Sequence, residues 1–194
     1  MARIVLHEVG PRDGLQMERA VVATGVKEAW IRRALAAGLD IVQVGSFVHP
    51  EKVPQMADTD ELFRRLVADR PAGGVLSGLV LNEKGLERGL ACGVEMFCVG
   101  ASASETHSRK NTGMGTDEAV RRSVATAREA VAAGKAVQIS VQSAFGCGFE
   151  GAIPEERVLG MVSAYLQAGL RQVSLADTAG HAHPAQVRRL FGRI

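Results

Sequence analysis

A chain of 194 residues that is 46% apolar and 23% charged has the make-up of one globular domain, long enough to bury a core without disulfides or a structural metal. A net charge of +2 and an aromatic share of 4% argue against a surface for nucleic acid or for a membrane. Three cysteines, Cys92, Cys98 and Cys147, form no C-x-x-C pair, no run approaches the ~20 apolar residues of a membrane span, and Met1-Ala2-Arg3 begins no signal-like segment. These features predict a soluble cytoplasmic protein with free thiols.

In chain order, short apolar or alternating runs predict strands at 4–9, 41–45, 75–81, 96–100, 137–143 and 172–176. Between and after them, helical periodicity predicts helices near 25–37, 59–69, 83–92, 116–133, 155–168 and 185–193. Asp58 stands three residues before Glu61 in capping-box spacing, Thr116 precedes Asp117 and Glu118, and Pro154 leads Glu155 and Glu156. Gly38, Gly93, Gly134 and Gly169 each follow a helix and precede an apolar strand, the place for a left-handed stop. The alternation gives about six βα units over residues 1–194, one α/β domain with a parallel sheet. Periodicity alone leaves two architectures, a doubly wound open sheet or part of a TIM (β/α)8 barrel, which takes eight units in about 250 residues. No G-x-G-x-x-G follows the first strand and no Walker loop occurs.

In both architectures ligands bind at the carboxyl ends of the strands. The first strand leads into Gly10-Pro11-Arg12-Asp13-Gly14-Leu15-Gln16, the second into Ser46-Phe47-Val48-His49-Pro50, and the third into Asn82. After the fourth come Ser102, Ser104, Glu105 and His107, then Arg109-Lys110. Ser143 and Gly146-Cys147-Gly148 follow the fifth, and Asp177-Thr178 the sixth.

The run from Glu8 to Gln16 resembles the opening motif of the 3-hydroxy-3-methylglutaryl-CoA lyases, within the wider pyruvate-carboxyltransferase-like superfamily of metal-dependent TIM barrels. Ser46-Phe47-Val48, Val53-Pro54-Gln55-Met56, Asn82-x-Lys84-Gly85, Gly146-Cys147 with Glu150-Gly151, and Asp177-Thr178 continue the likeness in family order. The resemblance implies a TIM-barrel carbon–carbon lyase that uses Mg²⁺ or Mn²⁺ to cleave a hydroxyacyl-CoA into acetyl-CoA and a keto acid. Asp13 is then a metal ligand, Arg12 stabilises the enolate oxygen, and Gln16 joins them as a catalytic residue. Gln43, Ser46, Asn82, Ser143 and Asp177 are the expected substrate-binding residues. A hard cation with oxygen ligands polarises a carbonyl, and a fixed guanidinium offers a developing enolate two donors. Two alternatives remain: a Claisen-type acyltransferase running the reverse chemistry on acetyl-CoA and a 2-keto acid, and a catalytically weakened relative that binds CoA esters. The expected partners are an acyl-CoA and a second copy in a homodimer.

The chain departs from the family pattern in three places. Gln43 stands where the family usually has Glu, and His49 where a small residue is common before Pro50. The family's His-x-His metal ligands and cysteine loop lie on the seventh and eighth units, beyond the six read here, so the chain is expected to lack the last two units. His181-Ala182-His183 does not replace those ligands, because its register puts His181 in a loop and His183 at a helix N-cap. Cys147 reads as a turn residue, Cys92 and Cys98 as packing, and Arg109-Lys110 as a solvated loop.

Overall fold

The computed structural model describes residues 3–194; Met1 and Ala2, where the absence of a leader was read, lie outside the described residues. Two compact units divide the chain, one reaching Phe97 and the other starting at Cys98.

The first unit runs β1 (His7–Glu8), α1 (Thr24–Ala36), β2 (Ile41–Ser46), α2 (Thr59–Ala68), β3 (Val75–Leu79) and α3 (Glu83–Ala91), then enters β4 (Met96–Ser102), which crosses the boundary. Its strands lie in the order β1-β2-β3 and pair in parallel. Apart from its first residue β2 is buried throughout, as a parallel strand under helices should be. Its pairing with β3 slips once: Gln43 lies opposite Ser77 and Gly45 opposite Gly78, so Val44 is an extra residue in a β-bulge. The helices turn one stripe inward. On α2, Leu62, Phe63 and Leu66 are buried while Arg64, Arg65 and Val67 face out, and full burial of Phe63 stabilises the fold by roughly 2–3 kcal/mol. Gly38 and Gly93 follow α1 and α3 with φ of 87° and 80°, the left-handed stops expected of them.

Two sequence expectations change here. β1 covers only His7–Glu8 of the predicted 4–9, because the Leu6 N–H donates to the Asp40 carboxylate (2.9 Å) and β1 has one strand neighbour, β2. Asp58 sits at the N-cap of α2 without capping it. Its carboxylate instead accepts from Thr24 Oγ1 (2.8 Å) and from the buried ammonium of Lys27 (2.7 Å). Charge pairing inside the unit outcompetes the local cap.

The second unit continues β4 into α4 (Glu105–Thr112), α5 (Thr116–Ala132), β5 (Ala136–Gln142), α6 (Glu155–Gln167), β6 (Val173–Leu175) and α7 (Pro184–Phe191). Its strands are ordered β4-β5-β6, with β5 and β6 parallel and Ile139 opposite Val173. α4 was not foreseen, because Glu-Thr-His-Ser-Arg-Lys-Asn-Thr has no apolar period. Its end signals are conventional: Ser104 caps it by accepting from the His107 N–H (3.1 Å), and Gly113 ends it at φ 77°. α5 starts at Thr116 as read, but Gly115 is the N-cap and the Glu105 carboxylate accepts the Thr116 N–H (2.7 Å). That bond is the main reason the Glu105 carboxyl titrates below its ordinary value. Among the described residues no helix is long and apolar enough to cross a membrane.

Candidate active site

In the first unit the site is built on the turn that leaves β1. Residues Gly10–Gly14 form one π-helical turn, with the Leu15 N–H reaching back to the Gly10 carbonyl and the Arg12 and Asp13 N–H groups sharing the Val9 carbonyl (3.0 and 2.7 Å). Pro11 fits the first turn, where no N–H partner is needed. The Glu8 carboxylate folds back onto the Gly10 N–H, and a Cβ at position 10 would stand 2.7 Å from Glu8 Oε1. Only glycine lets the carboxylate hold the turn at that distance.

This turn delivers Arg12 and Asp13 side by side. Arg12 Nη1 pairs with Asp13 Oδ1 at 2.6 Å, and Arg12 Nε donates to Gln43 Oε1 at 2.6 Å. The Arg12 side chain is 16% exposed and that of Asp13 61%, while Gln43 is buried. The guanidinium is thus clamped from the protein side, with the carboxylate beside it in solvent. Gln43 shares its sheet face with its register partner Ser77, whose Oγ lies 2.9 Å from His7 Nε2. His7 and Ser77 extend the polar face below Arg12. The reading of the sequence passed over them, although His7 interrupts an otherwise apolar run one residue before Glu8.

The remaining expected residues have definite places. Gln16 is half-buried and hydrogen-bonds to none of the other candidates. Ser46 is fully buried, and its Oγ has no partner among the described residues. Asn82 is exposed and caps α3, its Oδ1 accepting from the Gly85 N–H (3.0 Å). In the second unit, Asp177 accepts from the His181 and Ala182 N–H groups (2.9 and 3.1 Å), so its carboxylate shapes the loop after β6. Ser143 is buried at the end of β5; its N–H donates to Thr178 Oγ1 (2.9 Å) and its hydroxyl lies 3.2 Å from that of Ser102. The first unit therefore brings together Arg12, Asp13 and Gln43, and the second Ser102, Ser143 and Thr178.

Nearby groups are tuned by their surroundings. Burial works against ionisation of the Cys147 thiol, but hydrogen bonds from Ser104 and from the Phe149 and Glu150 N–H groups outweigh it and lower its pKa. Cys147 and Gly151 exchange two backbone hydrogen bonds (2.8 and 2.7 Å), the turn role expected of this cysteine. Burial alone lowers the pKa of His107, whose Nδ1 has no partner among the described residues. His183 caps α7 through Nδ1 (3.4 Å) and His181 lies in the preceding loop, as their register indicated.

Among the described residues no group of three or more His, Cys, Asp or Glu side chains is placed to hold a metal ion. Asp13 contributes one exposed carboxylate, already paired with Arg12. Mg²⁺ and Ca²⁺ take about six or more oxygens, so the donor set described here does not by itself make a metal centre. A groove of about 460 Å³ lies behind the turn, lined by Pro11, Leu15, Trp30, Ala34 and their neighbours but by neither Arg12 nor Asp13.

Comparison with known proteins bears on the fold and the family. The hydroxymethylglutaryl-CoA lyase YngG of Bacillus subtilis is 37% identical over 189 residues, covering 97% of this chain and 62% of that protein. A crystal structure of the Bacillus subtilis HMG-CoA lyase superposes with a TM-score of 0.93 at 36% identity, over 98% of this chain and 63% of that one. An HMG-CoA lyase from Acinetobacter baumannii, solved with coenzyme A and 3-methylmalate, gives a TM-score of 0.89 at 32% identity, over 97% of this chain and 61% of that one. The chain thus spans less than two thirds of the length of these relatives, and over that span it has their α/β, TIM-barrel-type fold. The HMGL-like family model matches residues 3–194, and the chain belongs to the HMGL-like family.

Proposed function

We propose that this chain carries the Arg12 portion of a lyase site that cleaves 3-hydroxy-3-methylglutaryl-CoA, or a similar hydroxyacyl-CoA, to acetyl-CoA and a keto acid. The observation that carries the reading is the Arg12 guanidinium, fixed by Gln43 at Nε and by Asp13 at Nη1, within the run Glu8–Gln16 that resembles the opening motif of these lyases, in a chain of the HMGL-like family. In the cleavage a base takes the proton of the 3-hydroxyl and the C2–C3 bond breaks. Its electron pair moves onto the thioester carbonyl as an enolate, which is then protonated at carbon to give acetyl-CoA. The new charge appears on the thioester oxygen, and a guanidinium that is already oriented stabilises it without reorganising. Asp13 holds the Arg12 plane. The Ser46 hydroxyl, buried without a partner among the described residues, is a hydrogen-bonding group for substrate in this reading. Among the described residues the donors do not complete a metal site. A cytoplasmic setting fits the three free cysteines.

The test is release of acetyl-CoA from 3-hydroxy-3-methylglutaryl-CoA by this chain and by any longer natural form, each with and without Mg²⁺ or Mn²⁺. Cleavage in either form supports the reading, and cleavage in neither overturns it.

A further inference from the structure

Ser143 is the one non-glycine residue at positive φ (54°) among the described residues. A residue with a Cβ is disfavoured there by roughly tenfold relative to the right-handed basin, and such a conformation persists where the surroundings fix it. Within the second unit the fixing groups can be named. The Ala144 N–H donates to the Ala176 carbonyl (3.0 Å), so β5 and β6 stay joined just beyond Ser143. The Ser143 hydroxyl meets that of Ser102, which also accepts the Ser104 N–H (3.1 Å). The Ser143 N–H itself goes to a side chain, Thr178 Oγ1, three residues past the end of β6.

We propose that Thr178 is a positioning residue: its hydroxyl oxygen holds Ser143 in the left-handed conformation and so fixes the polar end of β5 for the acyl-CoA. The inference rests on the lyase reading above. Its physical content is the match between a strained residue and the acceptor that stabilises the strain. β5 ends at Gln142, and the N–H that follows would have to find another acceptor or the residue would have to relax. Ser143 is only 1% exposed, so water is a poor substitute. Thr178 itself is exposed, and its role lies in that one acceptor oxygen.

The proposal distinguishes an action on Ser143 from a direct action on ligand. Thr178→Val keeps the shape and deletes the acceptor, Thr178→Ser keeps the acceptor, and Ser143→Gly removes the strain because glycine takes positive φ unaided. The expected result is a Ser143 amide that exchanges with solvent about tenfold faster in Thr178→Val, the effect of one lost hydrogen bond. Exchange at Ile139, in mid-β5, stays unchanged. Cleavage of 3-hydroxy-3-methylglutaryl-CoA loses about tenfold in kcat with little change in KM, and Thr178→Ser restores it. In the Ser143→Gly background, adding Thr178→Val costs less than about twofold, because the two residues act as one unit. An undiminished further loss in that background, or an unchanged Ser143 amide in Thr178→Val, overturns the proposal. Absence of cleavage by wild type in both this chain and a longer natural form overturns the lyase reading instead, and the exchange comparison still decides whether Thr178 holds Ser143.

Discussion

Arg12 makes two hydrogen bonds of 2.6 Å, and the partner at Nε is a neutral amide. Arg12→Lys loses the planar fork while keeping the charge. It should lower turnover by about 10² to 10³, with the melting temperature nearly unchanged because the residue stands at a turn rather than in a core. Gln43→Leu tests the clamp from the other side: kcat should fall about tenfold, the value of one lost hydrogen bond to a charged group, with KM little moved. Gln43→Glu keeps an acceptor and adds a negative charge, turning the bond to the Arg12 guanidinium into an ion pair, and should raise turnover above wild type; steady-state kinetics on the three variants checks all of this. At this scale the sequence was legible where a motif is continuous. Arg12 and Asp13 are adjacent in the chain and adjacent in space. It was illegible where a partner comes from another strand, as with Ser77 beside His7 or Thr178 beneath Ser143, since neither spacing nor periodicity reveals a cross-strand hydrogen bond.

Lys27 shows what joins the elements of the first unit. It lies on α1 with 1% of its surface exposed, and its ammonium reaches Asp58 and the Gln55 carbonyl in the segment just before α2. A buried charge left without its partner is costly; the Asp58 side chain, 19% exposed, still meets water when Lys27 is gone, whereas the Lys27 ammonium, 1% exposed, does not when Asp58 is gone. Asp58→Ala should therefore destabilise the fold by about 3 kcal/mol, while Lys27→Met stays much closer to wild type; denaturant midpoints of the two variants decide it. Among the described residues, the six strands and six of the seven α-helices were legible from alternation and glycine stops, with shifts of a few residues at the ends. α4 escaped because a helix without an apolar stripe has only its caps to announce it. The shortening of β1 escaped because Asp40 competes for the Leu6 N–H, and a side chain taking a strand's donor leaves no periodic trace.

At the scale of the whole molecule, unpaired apolar surface matters most. In the first unit Ile4, Met17 and Val21 are largely exposed, Trp30 is partly so, and β1 has β2 as its one strand neighbour. In the second unit Phe191 and Ile194 are exposed near a groove lined by Val162 and Leu166. Exposed apolar side chains beside a sheet edge favour pairing with another copy. Sedimentation velocity should show a dimer that dissociates on dilution, and Trp30→Glu combined with Ile4→Lys should shift it to monomer; a wild-type protein that stays monomeric at 100 μM (about the range where weak interfaces form) would rule the homodimer out. Because the chain spans only 62% of the Bacillus subtilis lyase, the same measurement on a longer natural form shows whether that surface is still available there.

The extra residue in β2 has a consequence for how this stretch tolerates change. Gln43 and Ser46 are three positions apart, a spacing that in a regular strand sends side chains to opposite faces. With Val44 bulged, their partners become Ser77 and Leu79, two apart on β3, so both point the same way. Loss of a single codon at Val44 would leave Gln43 and Ser46 two apart in a regular ladder and so still on one face, whereas a slip that regularised the pairing with Val44 retained would turn Ser46 to the other face with every named residue still in the protein. With Gln43 and Ser46 three positions apart, the bulge is therefore as much a part of the site as the two side chains it aligns.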